Sequence, residues 1–187
     1  MADKSQIGVL EIHYGPMMTT VTAPYDGTSA TGLSPTELKA FLALPTTKKV
    51  KNVHEDNWNY EKALPSKTFY KNKLSGKNYR GSTDDPGDSV ITFTMGKYSF
   101  EDKADFEGGV ASANKWSAAA EFADKNLTIV ALTTDGVYIV YPKADIVAGG
   151  VTTDDAIGES VQATALEPDI ALESEAWILK SAVDAAA

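Results

Sequence analysis

The stretch "VYIVYPKADIVAGG", residues 137–150, decides how this chain folds. Its first five residues are apolar on both faces of an extended backbone, as in a strand buried in the middle of a sheet. Pro142 then interrupts the run. Proline has no amide hydrogen to share with a neighbouring strand, so it is tolerated at a strand edge or a bulge. The pattern predicts one long strand that bends at Pro142 and continues outward through "KADIVA". Gly149 and Gly150 free the backbone to turn. An acidic loop, "VTTDDAIGES", follows, and "VQATAL" (161–166) then returns antiparallel. Val161, Ala163 and Ala165 fall on one face of that return, and Gln162 and Thr164 on the other. A long bent ribbon with one polar and one small apolar face is poorly used inside a monomer. It suits a wall built from many copies.

Upstream, "LTIVALTTDGVYIVY" (127–141) joins two apolar runs through Thr-Thr-Asp-Gly, a hairpin signal. "VITFTMGKYSF" (90–100) alternates Ile91, Phe93 and Met95 with Thr92 and Thr94, which reads as a strand. Further strands are expected in "IGVLEIHYG" (7–15) and "SEAWILKSA" (174–182). "SPTELKAFLAL" (34–44) is the clearest helix, with Ser34 as N-cap, Pro35 at the first position and Glu37 completing a capping box. "SFEDKADFEGG" (99–109) predicts a short capped helix ended by glycine. Residues 110–126 are open: "WSAAAEFA" suits a helix by propensity, whereas flanking strands override such a preference. "YKNKLSGKNYR" (70–80) reads as a short helix or turn, and "GSTDDPGDS" (81–89) as a surface loop.

These elements place the chain in the mainly β (α+β) class. The expected architecture is an antiparallel β-sandwich or barrel with one flanking helix and long hairpin or loop extensions. A length of 187 residues fits one domain, 1–187, with a frayed tail at 183–187. Residues 46–80 form an extended region, basic and aromatic and only weakly periodic. The start, "MADKSQIGVL", has no long apolar segment and predicts neither a signal peptide nor a membrane span.

Charge is unevenly spread. Residues 1–80 carry 11 Lys or Arg against 7 Asp or Glu, and residues 81–187 carry 6 against 19. The net charge of −9 argues against a sequence-reading nucleic-acid binder. It fits a polar molecule whose basic part meets the acidic part of its neighbour. Lys48, Lys49, Lys51, Lys71, Lys73 and Lys77 are the candidate basic interface residues, and Asp154, Asp155 and Glu159 the acidic ones.

No catalytic constellation is legible, so no enzyme activity and no cofactor is expected. The chain has no cysteine, which removes thiolate metal sites and disulfides. His54 lies beside Glu55 and Asp56, but without the paired histidines of a zinc helix. The acidic loops lack the spacing of a calcium loop. No glycine-rich phosphate cradle precedes a helix, and no nucleophile elbow is present.

Four blocks carry a family resemblance: "VKNVHEDNWNYE", "YKNKLSGKNYR", "ITFTMGKYSFEDKADFEGG" and "VYIVYPKADIVAGGVTTDDAIGESVQATALEP". Together they span most of residues 50–168, and the sequence there resembles the tail tube proteins (major tail proteins) of long-tailed bacteriophages. The likeness is to versions found in phages and prophages of Bacteroides-like bacteria. It implies a β-sandwich with a flanking helix that assembles into hexameric rings. The rings stack into a tube, and hairpins from each subunit join into an inner β-barrel through which DNA passes during ejection. The implied partners are the chain itself, other tail proteins (initiator, terminator and tape measure) and DNA as transient, non-specific cargo. The implied location is the virion tail, assembled in the bacterial host cytoplasm, with no membrane role. The competing reading is a monomeric β-sandwich binding module, for carbohydrate or a cell surface, encoded in a prophage. The two differ in their sheet edges. A tube subunit leaves edges unpaired, and a binding module protects them.

Overall fold

A computed structural model describes every residue except 1–7, 29–30, 55–56, 86, 121–123, 154–155 and 187. The strands are β1 (Val9–Gly15), β2 (Lys48–Lys49), β3 (Asn59–Lys62), β4 (Ser66–Lys71), β5 (Asn78–Asp85), β6 (Ser89–Met95), β7 (Val110–Ser112), β8 (Lys115–Ser117), β9 (Lys125–Thr133), β10 (Val137–Thr153), β11 (Ala156–Ala165) and β12 (Ala176–Leu179). The helices are α1 (Pro35–Leu42), α2 (Phe100–Glu107) and α3 (Lys180–Ala185). The fold is mainly β and antiparallel, a sandwich- or barrel-like sheet flanked by helices.

The main sheet runs β2-β1-β9-β10-β11-β6-β3, with β12 also paired to β10. The strand β10 organises it. Val137–Val140 pair with β12, and Ala144–Thr153 pair with β11. Pro142 lies between these two sets, where the strand changes partner. On its other side the ladder to β9 slips between Tyr141 and Ala144, the bulge that proline demands. The Thr128 hydroxyl fills the gap by donating to the Pro142 carbonyl at 2.7 Å.

β9 and β10 are buried on both faces, as their apolar runs predict. Ile129, Ala131, Ile139 and Tyr141 face one core with Ile91, Phe93 and Met95 of β6. Val130, Leu132, Tyr138 and Val140 face a second core, covered by Leu38 and Phe41 of α1 and Val183 of α3. The first core is concave. Phe106 of α2 touches Tyr14 of β1, with ring centroids 4.4 Å apart, and Phe93 of β6 at 6.0 Å. Strands four places apart in a flat sheet are separated by about 19 Å. The sheet therefore curls around Phe106. The segment after β2 closes the open side, where the Val50 amide donates to Ile12 O and the His54 amide to Thr94 O.

Several expectations need correction. The two glycines do not turn the chain. The strand runs through them, with Gly149 opposite Ser160 and Gly150 opposite Glu159, so the expected acidic loop is mostly a paired ribbon. "GSTDDPGDS" is not simply a loop, because Gly81–Asp85 belong to β5, whereas "YKNKLSGKNYR" holds the expected turn, at the tip of the β4–β5 hairpin. The sheet is flanked by more than one helix. After β12 the chain turns into α3, which runs to Ala185, so the expected frayed tail begins helical, with Val183 buried and Asp184 and Ala185 exposed. Residues 110–117 form the β7–β8 hairpin. Gly109 sets its path at φ +87°, where a Cβ would lie 2.2 Å from the Ser117 carbonyl oxygen. Ala118–Ala120 are not helical, and 121–123 lie outside the described residues.

The capping box of α1 is present. The Glu37 amide donates to Ser34 Oγ at 3.2 Å, and the Ser34 amide donates to Glu37 Oε2 at 2.8 Å. Ser34→Ala leaves a helix-end amide unsatisfied and is expected to cost about 1 kcal/mol, read by urea denaturation.

Candidate functional site

Two features project from the curled sheet. The first is an arm made by the far halves of β10 and β11. β9 ends its pairing at Lys125 opposite Ile146, and β6 ends at Met95 opposite Glu159. Beyond Ile146, the β9-side edge of β10 has no strand partner among the described residues. That edge reads "VAGGVTT" (147–153), with no charge and no proline. Val147 is 63% exposed on one face of the ribbon and Ile157 72% exposed on the other. A Cβ at Gly149 or Gly150 would touch nothing.

The root of the arm is held by a buried charge. Glu159 faces the concave core, 0% exposed, and its Oε2 accepts from Lys103 of α2 at 2.7 Å. Lys103 also pairs with Glu107, one helical turn on, and its ammonium lies 4.5 Å from the centre of the Trp116 ring. Burial raises the Glu159 carboxyl above its ordinary range. The Lys103 bond opposes that rise and Glu107 adds to it.

The second feature is the β4–β5 hairpin, which pairs with no other strand among the described residues. Ser66–Lys71 are all exposed, as are Leu64, Leu74 and Tyr79, and Leu74 at the tip is 99% exposed. Lys67, Lys71, Lys73, Lys77 and Arg80 supply five positive charges over 66–83, with no Asp or Glu in that span. Arg80 lies over the Tyr70 ring at 5.4 Å. Two strands without a core are marginal alone. The hairpin leaves β3 and β6 at Lys62 and Ser89, and the arm extends past their other ends. Basic hairpin and bare-edged arm thus project from opposite ends of the same strands.

The expected interface residues divide into separate groups. Lys71, Lys73 and Lys77 lie on the hairpin and make no ion pair among the described residues. Lys48, Lys49 and Lys51 are engaged within the chain instead. Lys48 pairs with Asp105, Lys49 with Glu11 at 2.7 Å, and Lys51 with Asp102 at 2.9 Å. Burial works to raise the Asp102 carboxyl, but bonds from Ser99, Lys51 and Tyr14 outweigh it and hold it at about 2. These lysines fasten β2 to β1 and α2. Glu159 is sealed in the core rather than on an acidic tip, because its register opposite Met95 turns it inward beneath α2. Asp154 and Asp155 lie outside the described residues, as do Glu55 and Asp56 beside His54. Sequence reading missed Lys103, whose signal was its spacing four residues before Glu107. Lys67 and Arg80 were legible only as part of a basic stretch.

Lys103→Met strands the Glu159 carboxylate in the core and is expected to cost about 3 kcal/mol at neutral pH. Glu159→Gln keeps an acceptor for Lys103 and behaves differently. A carboxyl whose folded pKa is raised contributes stability at low pH and loses it as pH rises through that pKa. The glutamine variant should therefore exceed the wild type in stability at neutral pH, and the gain should vanish in acid. Urea denaturation across that range reads both.

No family model matches the chain, and no curated protein matches it.

Proposed function

We propose that the chain is a structural subunit of a phage tail tube. Copies associate head to tail into stacked, hexameric rings that enclose a conduit for DNA. The supporting observation is the edge Val147–Thr153, which is unpaired, uncharged and free of proline. Such an edge invites another strand, and monomeric proteins blunt theirs with lysine, proline or a cover. The strand order also ends at β3, so the sheet has a second edge that a neighbour's arm could meet. A hairpin and an arm at opposite ends make unlike surfaces available for repeated contact. Heterologous contacts of that kind close into rings or extend into stacks.

The exposed aromatics Phe69, Tyr70 and Tyr79 favour the alternative, a monomeric module binding carbohydrate or a cell surface. Electron microscopy of concentrated protein, alone and with phage initiator proteins, separates the two. Rings or stacks are expected. Val147→Lys with Val151→Lys places charge on the bare edge and should abolish them, while the monomer keeps its melting temperature. A wild type that stays monomeric under every one of these conditions sinks the tube reading.

The tube reading also entails weak affinity for DNA. Residues 81–187 carry 19 Asp or Glu against 6 Lys or Arg, which opposes the phosphate contacts that dominate non-specific binding. No shift of duplex DNA is expected at physiological salt in a mobility assay. Tight binding would count against a passive lumen.

A further inference from the structure

The β4–β5 hairpin presents an unsolved physical problem in the single chain. Its apolar side chains, Leu64, Phe69, Leu74 and Tyr79, are exposed, and its strands share no core with the main sheet. Its lysines form no ion pair among the described residues. The whole chain is −9 and the hairpin 66–85, with Asp84 and Asp85 at its base, is +3, so the remainder is −12. Charge complementary to the hairpin is therefore carried by the same molecule.

One acidic cleft also carries apolar side chains. A depression of about 410 Å³ lies between the β3–β6 end of the sheet and the loop 165–175. Tyr25 and Leu172 line it, together with Asp88, Glu167, Glu173 and Glu175. Two of those carboxylates are engaged inside the chain. Glu175 accepts from Lys62 at 2.8 Å, Tyr60 at 2.7 Å and Trp177 at 2.6 Å, and Glu173 accepts the Leu33 amide at 3.1 Å. Asp88 and Glu167 are exposed and form no ion pair among the described residues. The cleft, which Lys62 also lines, thus offers two carboxylates without an ion pair among the described residues beside the Tyr25 ring and the edge of Leu172. The hairpin tip offers Leu74 between Lys73 and Lys77.

We infer that the hairpin of one copy docks in this cleft of a second copy, with Leu74 toward Tyr25 and Leu172 and the flanking lysines against Asp88 and Glu167. The contact rests on the self-associating reading above and names its partner surfaces. The tip does not serve its own cleft, since Leu74 is fully exposed in the single chain. Opposite charges at the rim steer the encounter, and the buried leucine supplies apolar burial. A nucleic acid could exploit the same cations and aromatic rings. The −12 remainder and the two leucines favour a protein surface instead.

Because the chain has no cysteine, single introduced thiols report the contact. Full-length Leu74→Cys and Glu167→Cys proteins are mixed under mild oxidation. A disulfide-linked heterodimer should form at least about tenfold faster than between Leu74→Cys and a control Ser112→Cys, as expected for thiols held close together. Lys73→Glu with Lys77→Glu should suppress association. Mixing that variant with Asp88→Lys, Glu167→Lys protein should restore it between the two. Tubes or rings without the Leu74–Glu167 link would overturn the docking and leave the tube reading standing. The link without rings or tubes would uphold the docking and sink the tube. Neither link nor assembly would end both, and so would capture of nucleic acid through the same lysines in place of a second copy.

Discussion

A proline cannot give a hydrogen bond to a neighbouring strand, and the fold depends on where this chain puts one. Pro142 sits inside a 17-residue strand, at the point where β10 leaves β12 and takes up β11. On the opposite side the ladder to β9 slips, and Thr128 supplies the bond that the slip would lose. The proline thus separates two uses of one strand. Before it, β10 is a core strand buried on both faces. After it, β10 and β11 leave the shelter of β9 and become an arm with a bare edge. A residue with an amide at 142 would let the first pairing continue, and nothing would mark the change of partner.

The second constraint is the curl of the sheet. Phe106 brings aromatic rings from β1 and β6 together on one side, and α2 is fastened there by Lys48 and Lys51. The same helix carries Lys103, which reaches Glu159 at the root of the arm. A short helix therefore connects the closure of the core to the placement of the arm. The pair with Glu159 is better understood as a register device than as a source of stability. Burying a carboxylate costs several kcal/mol, which its partner lysine only offsets. A one-residue slip of β11 would turn Glu159 out to water and Val161 away from the core. The buried charge penalises any register that separates it from Lys103.

Among the described residues, the edge of the arm and the basic hairpin both stand without a partner in the single chain. Neither has a use in a monomer's core, and they project from opposite ends of β3 and β6. A head-to-tail assembly would satisfy both without changing either. A tube of such subunits would place an acidic chain around its cargo, where like charge keeps DNA from adhering.

The sequence by itself determined the local elements. Alternation at 90–95, the helix cap at Ser34, the glycine stop after α2 and the Thr-Thr-Asp-Gly hairpin are all short-range effects, and each is present as read. Pro142 was legible too, because a missing amide has the same consequence in any strand. Tertiary structure alone decided which charges are free. Lys48, Lys49 and Lys51 look like Lys71, Lys73 and Lys77 in the sequence. The first three fall beside Asp105, Glu11 and Asp102, and the others stand exposed on a hairpin with no ion pair among the described residues. Glu159 reads as part of an acidic tip until its partner across the sheet proves to be Met95, which turns it inward. The glycines at 149 and 150 permit a turn, yet the ladder to β11 carries the strand past them. For the lysines and Glu159 the deciding contact comes from residues remote in the chain, and for the glycines from the returning strand; no local pattern encodes either placement.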